Sequence, residues 1–519
     1  MISFFKYKNL PILLLFLVGA FFIYKAIFFL PHDFANYYYG AFFLENGTFN
    51  TQIYDPTWFN LEIAKHTKNV FAAYAPNTPF LSLFFLPFTF FSFETAKIIF
   101  NSISLFLFVF SVFRIFKFYT IDLKYVLLIL VLFIVPIKNN LLFGQVYFLL
   151  FFFISEGFLA YKNKKWLLMA TFWSFAILLK VFPVLLFIFL VLEKKWKALI
   201  YLSTTLLILL LITVPINGLD AWSFYFYEIL PKASSGEISS EFVLNYQSFL
   251  MFFKHLFIEN IYNNHLLIDS KATYFIALNT VKFILILYGI YFSIKEKDNL
   301  KTFSYWLIVT YFLSPYSSSY GSILLIFPIL TLLLETSKKR VLIFSALLFI
   351  YCNLRFNFFG NSTIIITYFK LFSLCIFFYG VYVFRSISIK KQVILLMVSV
   401  LTSTGFYFFK GDKRELETTS ISDTNIAIIK DYYIKNNSLF YTFWNENGLQ
   451  TIKSDILISS YNDKNSILKN NQIYINNKEI DLPKSNKKKA IIINENTLVF
   501  LSDNNRGYGF YTLKKYSLK

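Results

Sequence analysis

Two charged groups stand where apolar sequence would otherwise run on, and together they suggest group-transfer chemistry. His32 and Asp33 lie in PHDFANYYYG (31–40), where the apolar run over residues 10–30 ends and a tyrosine-rich segment begins. An aspartate held at a membrane face, beside aromatic and amide side chains, can accept a proton from a sugar hydroxyl. Lys180 ends LLMATFWSFAILLK and is followed by VFP, with apolar sequence on both sides. A lysine at mid-membrane costs roughly 2.5–3.5 kcal/mol, so such residues usually face a cavity or an anion. The bland alternative is a lysine at a helix end whose ammonium snorkels to the headgroups. Either way it falls on the same side as Asp33. A carboxylate and an ammonium flanking one cavity suit a lipid-phosphate donor: the lysine holds the phosphate while the acid deprotonates the acceptor.

Other polar groups could complete such a cavity. Gln145 follows Gly144 and opens the apolar run VYFLLFFFI. An unpaired buried amide costs on the order of 1–3 kcal/mol, so Gln145 either bonds a neighbouring helix or lines a ligand cavity. Asn245, Gln247 and Ser248 in NYQSFLMFF either bind sugar hydroxyls or cap the helix that follows. SPYSSSYGS (314–322) offers serine and tyrosine hydroxyls, or is simply a polar turn. His32 and Tyr37, flanking Asp33, join Gln145, Asn245 and Gln247 as candidate cavity or acceptor-binding residues.

The elements that must position these groups are membrane helices. Of 519 residues, 57% are hydrophobic and 22% aromatic, in long uncharged runs rather than amphipathic stripes. A soluble core could not enclose that surface. Runs of about 20 apolar residues span a bilayer, and segment counting predicts about 13 spans. The first run has no convincing cleavage site and reads as a retained anchor. Residues 79–113 carry Pro87 and are too long for one helix, so a short re-entrant piece plus a span is expected.

The net charge of +20 does not indicate a nucleic-acid partner. Much of the basic charge lies in short loops: 114–124, 162–165, 194–197, 295–301, 338–340 and 385–391. This is the positive-inside pattern. It predicts a multi-pass cell-membrane protein with a cytoplasmic N-terminus, Asp33 outside and the C-terminal region outside. Cys352 and Cys375 fall in or beside spans and read as packed apolar side chains. The 4 histidines have no metal-ligand spacing, and no metal is expected.

Two large outer loops are expected at 31–78 and 216–270. In the first, an aromatic helix after Asp33 would lie in the interface, and Asp55-Pro56 would start a second helix. After Phe409 the composition turns Asn-, Lys- and Ile-rich. Short alternating runs such as NIAIIK, DILISS and KAIIIN are separated by NN and NDK turns. The expected organisation is a membrane module over 1–409 and a small extracytoplasmic β-rich domain over 410–519, of one or two blade-like antiparallel sheets.

The stretches DFANYYYGAFFLENG with IYDP, YAPNTPFLSLFFLPF, LLFGQVYFLLFF, FAILLKVFPVLLFIFLVLEKKWKAL, NYQSF and LSPYSSSYG occur in that order. The ordered set resembles glycosyltransferase family 87, membrane mannosyltransferases of GT-C architecture that use polyprenyl-phosphate sugars. The resemblance runs over residues 31–320. It implies inverting transfer of a hexose to an envelope glycan or glycolipid on the extracytoplasmic face, with mannose the best-known donor sugar. It also implies Asp33 as general base, Lys180 as a phosphate contact, and Gln145, Asn245 and Gln247 as cavity-lining groups. Where relatives often carry histidine after the Ser-Pro motif, this chain has Tyr320 or Gly321, and Tyr320 supplies a hydroxyl instead of a cation. The phosphate carrier is already a good leaving group, so no cofactor is required. Two other classes fit a polytopic, basic chain: a flippase for lipid-linked sugars, and an envelope assembly protein without activity. A transporter would be expected to show repeat symmetry or several broken helices near the midplane; the sequence shows no internal repeat, and the large first outer loop favours an enzyme.

Overall fold

Secondary structure changes type where the composition does: helices run as far as Lys410 and strands take over from Thr419. The computed structural model describes residues 9–518 except 30–32, 68–69, 71, 237, 239–243, 259–264, 336, 360–362, 385, 411–418, 421–428, 446–447, 463–465, 470–471, 477, 481, 483–486 and 503–510.

Among the described residues, five helices are long and apolar enough to cross a membrane: Leu10–Ile27, Phe93–Phe118, Trp196–Asn217, Lys271–Lys295 and Ile389–Phe408. A sixth crossing arises if Leu123–Leu132 and Ile134–Phe143, bent by 69°, form one broken span. By length and composition, these five or six helices do not confirm the expected count of about 13 spans. The apolar runs are cut into pieces too short to qualify alone, including Pro79–Phe88, Trp166–Leu179, Phe182–Leu192, Gly321–Leu333 and Phe369–Val383. Counting by composition cannot see those cuts. The stretch 79–113 does divide, at Thr89–Ser92, into a short helical piece and the long helix from Phe93.

The helix Asp33–Glu45 is packed within protein. Phe34, Tyr37, Tyr38, Tyr39 and Phe43 are all buried. The Phe34 ring lies 6.1, 5.7 and 5.6 Å from those of Phe85, Phe93 and Phe100. An interfacial helix needs one polar face. Here aromatic side chains fill most of the circumference and pack on protein, while Asp33, Asn36 and Gly40 share the remaining face. The following segment folds back on this helix: Asn36 accepts from the Ala73 amide at 2.8 Å, and Asn60 exchanges two hydrogen bonds with Ala72 at 2.7 and 2.9 Å. Helix Pro56–Ile63 starts at its proline, as Asp55-Pro56 predicts.

The C-terminal strands form three antiparallel sheets. The largest runs in the order Thr419–Ser420, Thr512–Ser517, Thr497–Ser502, Lys487–Ile493, Tyr461–Asn462. Ile429–Lys435, Ser438–Asn445 and Gly448–Leu457 form the second; Ser466–Lys469, Gln472–Ile475 and Lys478–Glu479 form the third. Period-two alternation buries Tyr432, Tyr441 and Phe443 of the second sheet against Ile491, Ile493, Val499 and Leu501 of the first. The Tyr432 hydroxyl joins the two sheets by donating to the Val499 carbonyl at 2.8 Å.

One glycine is required for the site described below. Gly144 ends helix Ile134–Phe143 in the left-handed region (φ +67), and a Cβ there would stand 2.7 Å from the Phe34 Cβ. The turn thus needs glycine both for its backbone and for the approach of the Asp33 helix. Gly144→Ala is expected to destabilise the protein by about 1–2 kcal/mol from the backbone alone, with the Phe34 clash in addition. Thermal unfolding of the purified protein in detergent checks this; an unchanged midpoint would refute it.

Candidate active site

Asp33 and Tyr37 are one helical turn apart, so their side chains share a face. The turn after Gly144 delivers Gln145 to that face. The Tyr37 hydroxyl donates to Gln145 Oε1 at 2.7 Å, and Gln145 Nε2 donates to Asp33 Oδ2 at 2.5 Å. Asp33 also occupies the first turn of its helix, where the exposed amides and the helix dipole favour negative charge. Burial, and next the Asp33 charge, hold the Tyr37 phenol well above its usual range, so it stays protonated and able to donate.

Lys180 caps the C-terminal end of helix Trp166–Leu179 in extended conformation, just before the turn Phe182–Leu185. Its ammonium donates to Asn77 Oδ1 at 3.0 Å and lies over the Tyr147 ring, 5.9 Å from the centroid. The amine is therefore held by protein groups. Asn77 is itself held, since its carbonyl accepts from the buried Tyr54 hydroxyl at 3.1 Å. Thr78 Oγ1 donates to the Leu178 carbonyl at 2.5 Å, pinning this loop to the Lys180 helix. The Asp33 carboxylate acts electrostatically on Lys180, Lys97, Tyr147, Tyr246 and Tyr320. One carboxylate thus sits among two ammonium groups and a set of phenols.

The remaining candidates fare unevenly. His32 lies outside the described residues. Tyr320 is half-buried with its ring 5.3 Å from that of Tyr147, and its carbonyl accepts from Asn140 Nδ2 at 3.0 Å. Burial first, then Asp33, raises its phenol well above the usual range. Asn139 fixes the same loop by donating to Ser319 Oγ at 2.7 Å. Asn245 is exposed. Ser248 caps helix Phe249–Phe257 by accepting from the Met251 amide. Gln247 is buried and donates to the Leu244 and Thr367 carbonyls at 2.8 and 3.2 Å. From that segment it is Tyr246 that comes within electrostatic reach of Asp33.

Sequence reasoning missed Asn77, Tyr147, Lys97 and Tyr246. Asn77 sits in YAPNTPF, whose composition signals only a turn. Tyr147 follows Gln145 by two residues in a run rich in aromatics. Lys97 is buried beside the end of the first helix, donating to the Ala26 carbonyl at 3.3 Å; an isolated lysine near a helix start carried no signal.

With this geometry in hand, comparison with known proteins is informative. Residues 75–315 match the model of glycosyltransferase family 87, which agrees with the resemblance drawn from the ordered stretches. Asn77, Lys97, Gln145, Tyr147, Lys180, Tyr246 and Gln247 fall inside the matched segment; Asp33 and Tyr37 lie before it and Tyr320 just after. No curated protein and no solved structure matches the chain.

The segment that carries Tyr246 is clamped from behind. Besides the Gln247–Thr367 bond, the buried His255 Nδ1 lies 2.8 Å from the Met251 carbonyl and 3.0 Å from the Tyr368 hydroxyl. Burial lowers the His255 pKa to about 4. The unfolded chain binds this proton below about pH 6.5, whereas the folded protein resists until about pH 4. Between those values the unfolded state holds more protons, so stability falls as the pH drops through the window and levels off below it. Thermal unfolding at about pH 7.5 and pH 5 should show a smaller acid-induced drop for His255→Gln than for the wild type. Equal drops would remove His255 from the account.

Proposed function

We propose that this chain is an inverting glycosyltransferase that moves a hexose from a polyprenyl-phosphate carrier to a glycan or glycolipid acceptor at the extracytoplasmic face of the cell membrane. The observation that carries this reading is that Asp33 and Lys180 lie within electrostatic reach of each other, each held by an amide side chain, Gln145 and Asn77. The match to glycosyltransferase family 87 supports the reaction class, and mannose is the sugar the resemblance favours.

The groups divide the chemistry between them. Asp33 takes the proton from the acceptor hydroxyl. The acceptor oxygen then bonds to the anomeric carbon as the bond from that carbon to the phosphate oxygen breaks. Its electron pair leaves on the polyprenyl phosphate, which Lys180 stabilises through its positive charge. Gln145, Asn77 and the phenols of Tyr147 and Tyr320 surround these two groups and would contact the substrates. No metal or cofactor enters the scheme. Residues 1–409 form the catalytic membrane module, and 410–519 a β-rich extracytoplasmic domain.

As a helix-start residue alone, Asp33 would tolerate asparagine, which caps about as well. As a base it would not: Asp33→Asn is expected to lower turnover ~100- to 10,000-fold. Lys180→Met should raise the KM for donor by about tenfold to a hundredfold, the size of one hydrogen bond to a charged group. Sugar transfer by purified protein from a polyprenyl-phosphate donor measures both. Normal turnover in folded Asp33→Asn protein would end the assignment of the base.

The lysine distribution supports the orientation. In a Cys352→Ala, Cys375→Ala background, Asn46→Cys and Lys435→Cys are each expected to react with an impermeant thiol reagent in intact cells, or in spheroplasts where an outer membrane intervenes. Labelling of either only after lysis would overturn the proposed topology.

A further inference from the structure

We propose that Gln145, held by Tyr37, is the positioning residue of the Asp33 base: it fixes one carboxylate oxygen and keeps the group ionised in apolar surroundings. The proposal rests on the assignment of Asp33 just made. It starts from an arrangement of three side chains brought together over more than a hundred residues: Tyr37 hydroxyl to Gln145 Oε1 at 2.7 Å, Gln145 Nε2 to Asp33 Oδ2 at 2.5 Å.

The direction of this relay is chemically determined. An ionised carboxylate only accepts, so the amide must turn its NH2 toward Asp33. That leaves Oε1 facing Tyr37, whose phenol is kept protonated and donates. Turned the other way, the amide would set its carbonyl oxygen against the carboxylate. Tyr37 therefore locks the amide in the orientation that serves the base. The lock is compact because Asp33 and Tyr37 are i and i+4 on one helix, so a single planar amide spans both. Its approach depends on Gly144, whose missing side chain admits Phe34.

Two effects on catalysis follow. A hydrogen bond to the charged form lowers the pKa of a carboxylate. An oxygen pinned from a rigid turn also leaves the carboxylate one rotamer, which orients it toward the acceptor. A clamp with a purely structural role would give neither: it would hold the Asp33 helix to the Gly144 turn and affect stability alone.

The test is the pH dependence of kcat with a polyprenyl-phosphate sugar donor, for wild type, Gln145→Leu and Tyr37→Phe. Gln145→Leu keeps the volume and deletes the donor. It is expected to move the acid limb of the profile upward by about one to two pH units, the equivalent of one hydrogen bond to a charged acceptor. It should lower kcat at neutral pH while leaving the donor KM near the wild-type value. Tyr37→Phe frees the amide to turn and should shift the limb in the same direction by less. If Gln145→Leu fails to fold, Tyr37→Phe, which loses one hydroxyl, decides the matter on its own. A lower unfolding midpoint with an unmoved acid limb would overturn the positioning role. If Asp33→Asn is inactive but these profiles match the wild type, only the present inference falls; if Asp33→Asn turns over normally, the base assignment falls first and this falls with it.

Discussion

A half-buried carboxylate on a helix packed in aromatic side chains needs solvation from the protein, because an isolated buried anion neutralises sooner than remain charged. Asp33 adjoins Phe34, whose ring meets Phe85, Phe93 and Phe100. Water's place is taken by the Gln145 amide, the first-turn amides of its own helix and the fields of Lys97 and Lys180. The neighbouring structure is arranged around that need. The left-handed Gly144 turn brings the amide, the break after Leu179 brings an ammonium, and the 72–78 segment brings Asn77 to hold it.

The aromatic mass gives those few polar contacts their rigidity. Tyr37 packs on Phe85 with ring centroids 5.0 Å apart, and Phe85 on Phe100 at 4.9 Å. Tyr147 lies between Lys180 and Tyr320, with its ring under the ammonium and against the second phenol. Close-packed rings of this kind leave few alternative rotamers. A hydrogen-bond relay through three side chains holds its geometry only if its supports cannot move. The abundance of phenylalanine around the site is thus a mechanical property as well as an adaptation to lipid.

How much of this was legible in the sequence depended on contrast. Asp33, Gln145 and Lys180 stood out because each interrupts apolar sequence, and burial of a polar group there requires a partner. Their partners did not stand out. Tyr147 is one aromatic residue among many, and Asn77 belongs to a turn whose composition explains it locally. What joins Gln145 to Tyr37 is a tertiary contact that no spacing encodes. The packing of helix Asp33–Glu45 on Phe85, Phe93 and Phe100 was hidden too, because its aromatic content was visible and its neighbours were not. The expected span count is not confirmed for a related reason: hydropathy integrates over breaks that a proline, a lysine or a glycine turn makes in the backbone. The β-rich tail was easier, since period-two alternation between Asn-rich turns is a local signal.

The charges at the site also fit the proposed reaction. A polyprenyl-phosphate sugar is a phosphodiester bearing one negative charge, and Asp33 bears another. When the acceptor's proton passes to Asp33 and the sugar leaves the phosphate, the carboxyl becomes neutral and the phosphate doubly charged. Total charge in the pocket is unchanged; one unit has moved from the base to the leaving group. In a medium of low dielectric, creating charge is expensive, but moving it between positions already solvated is far less so. Lys180, within the field of Asp33 and aimed at Asn77 rather than at the carboxylate, is suited to receive that displaced charge. Had it formed a direct ion pair with Asp33, the same lysine would stabilise the ground state and resist the transfer.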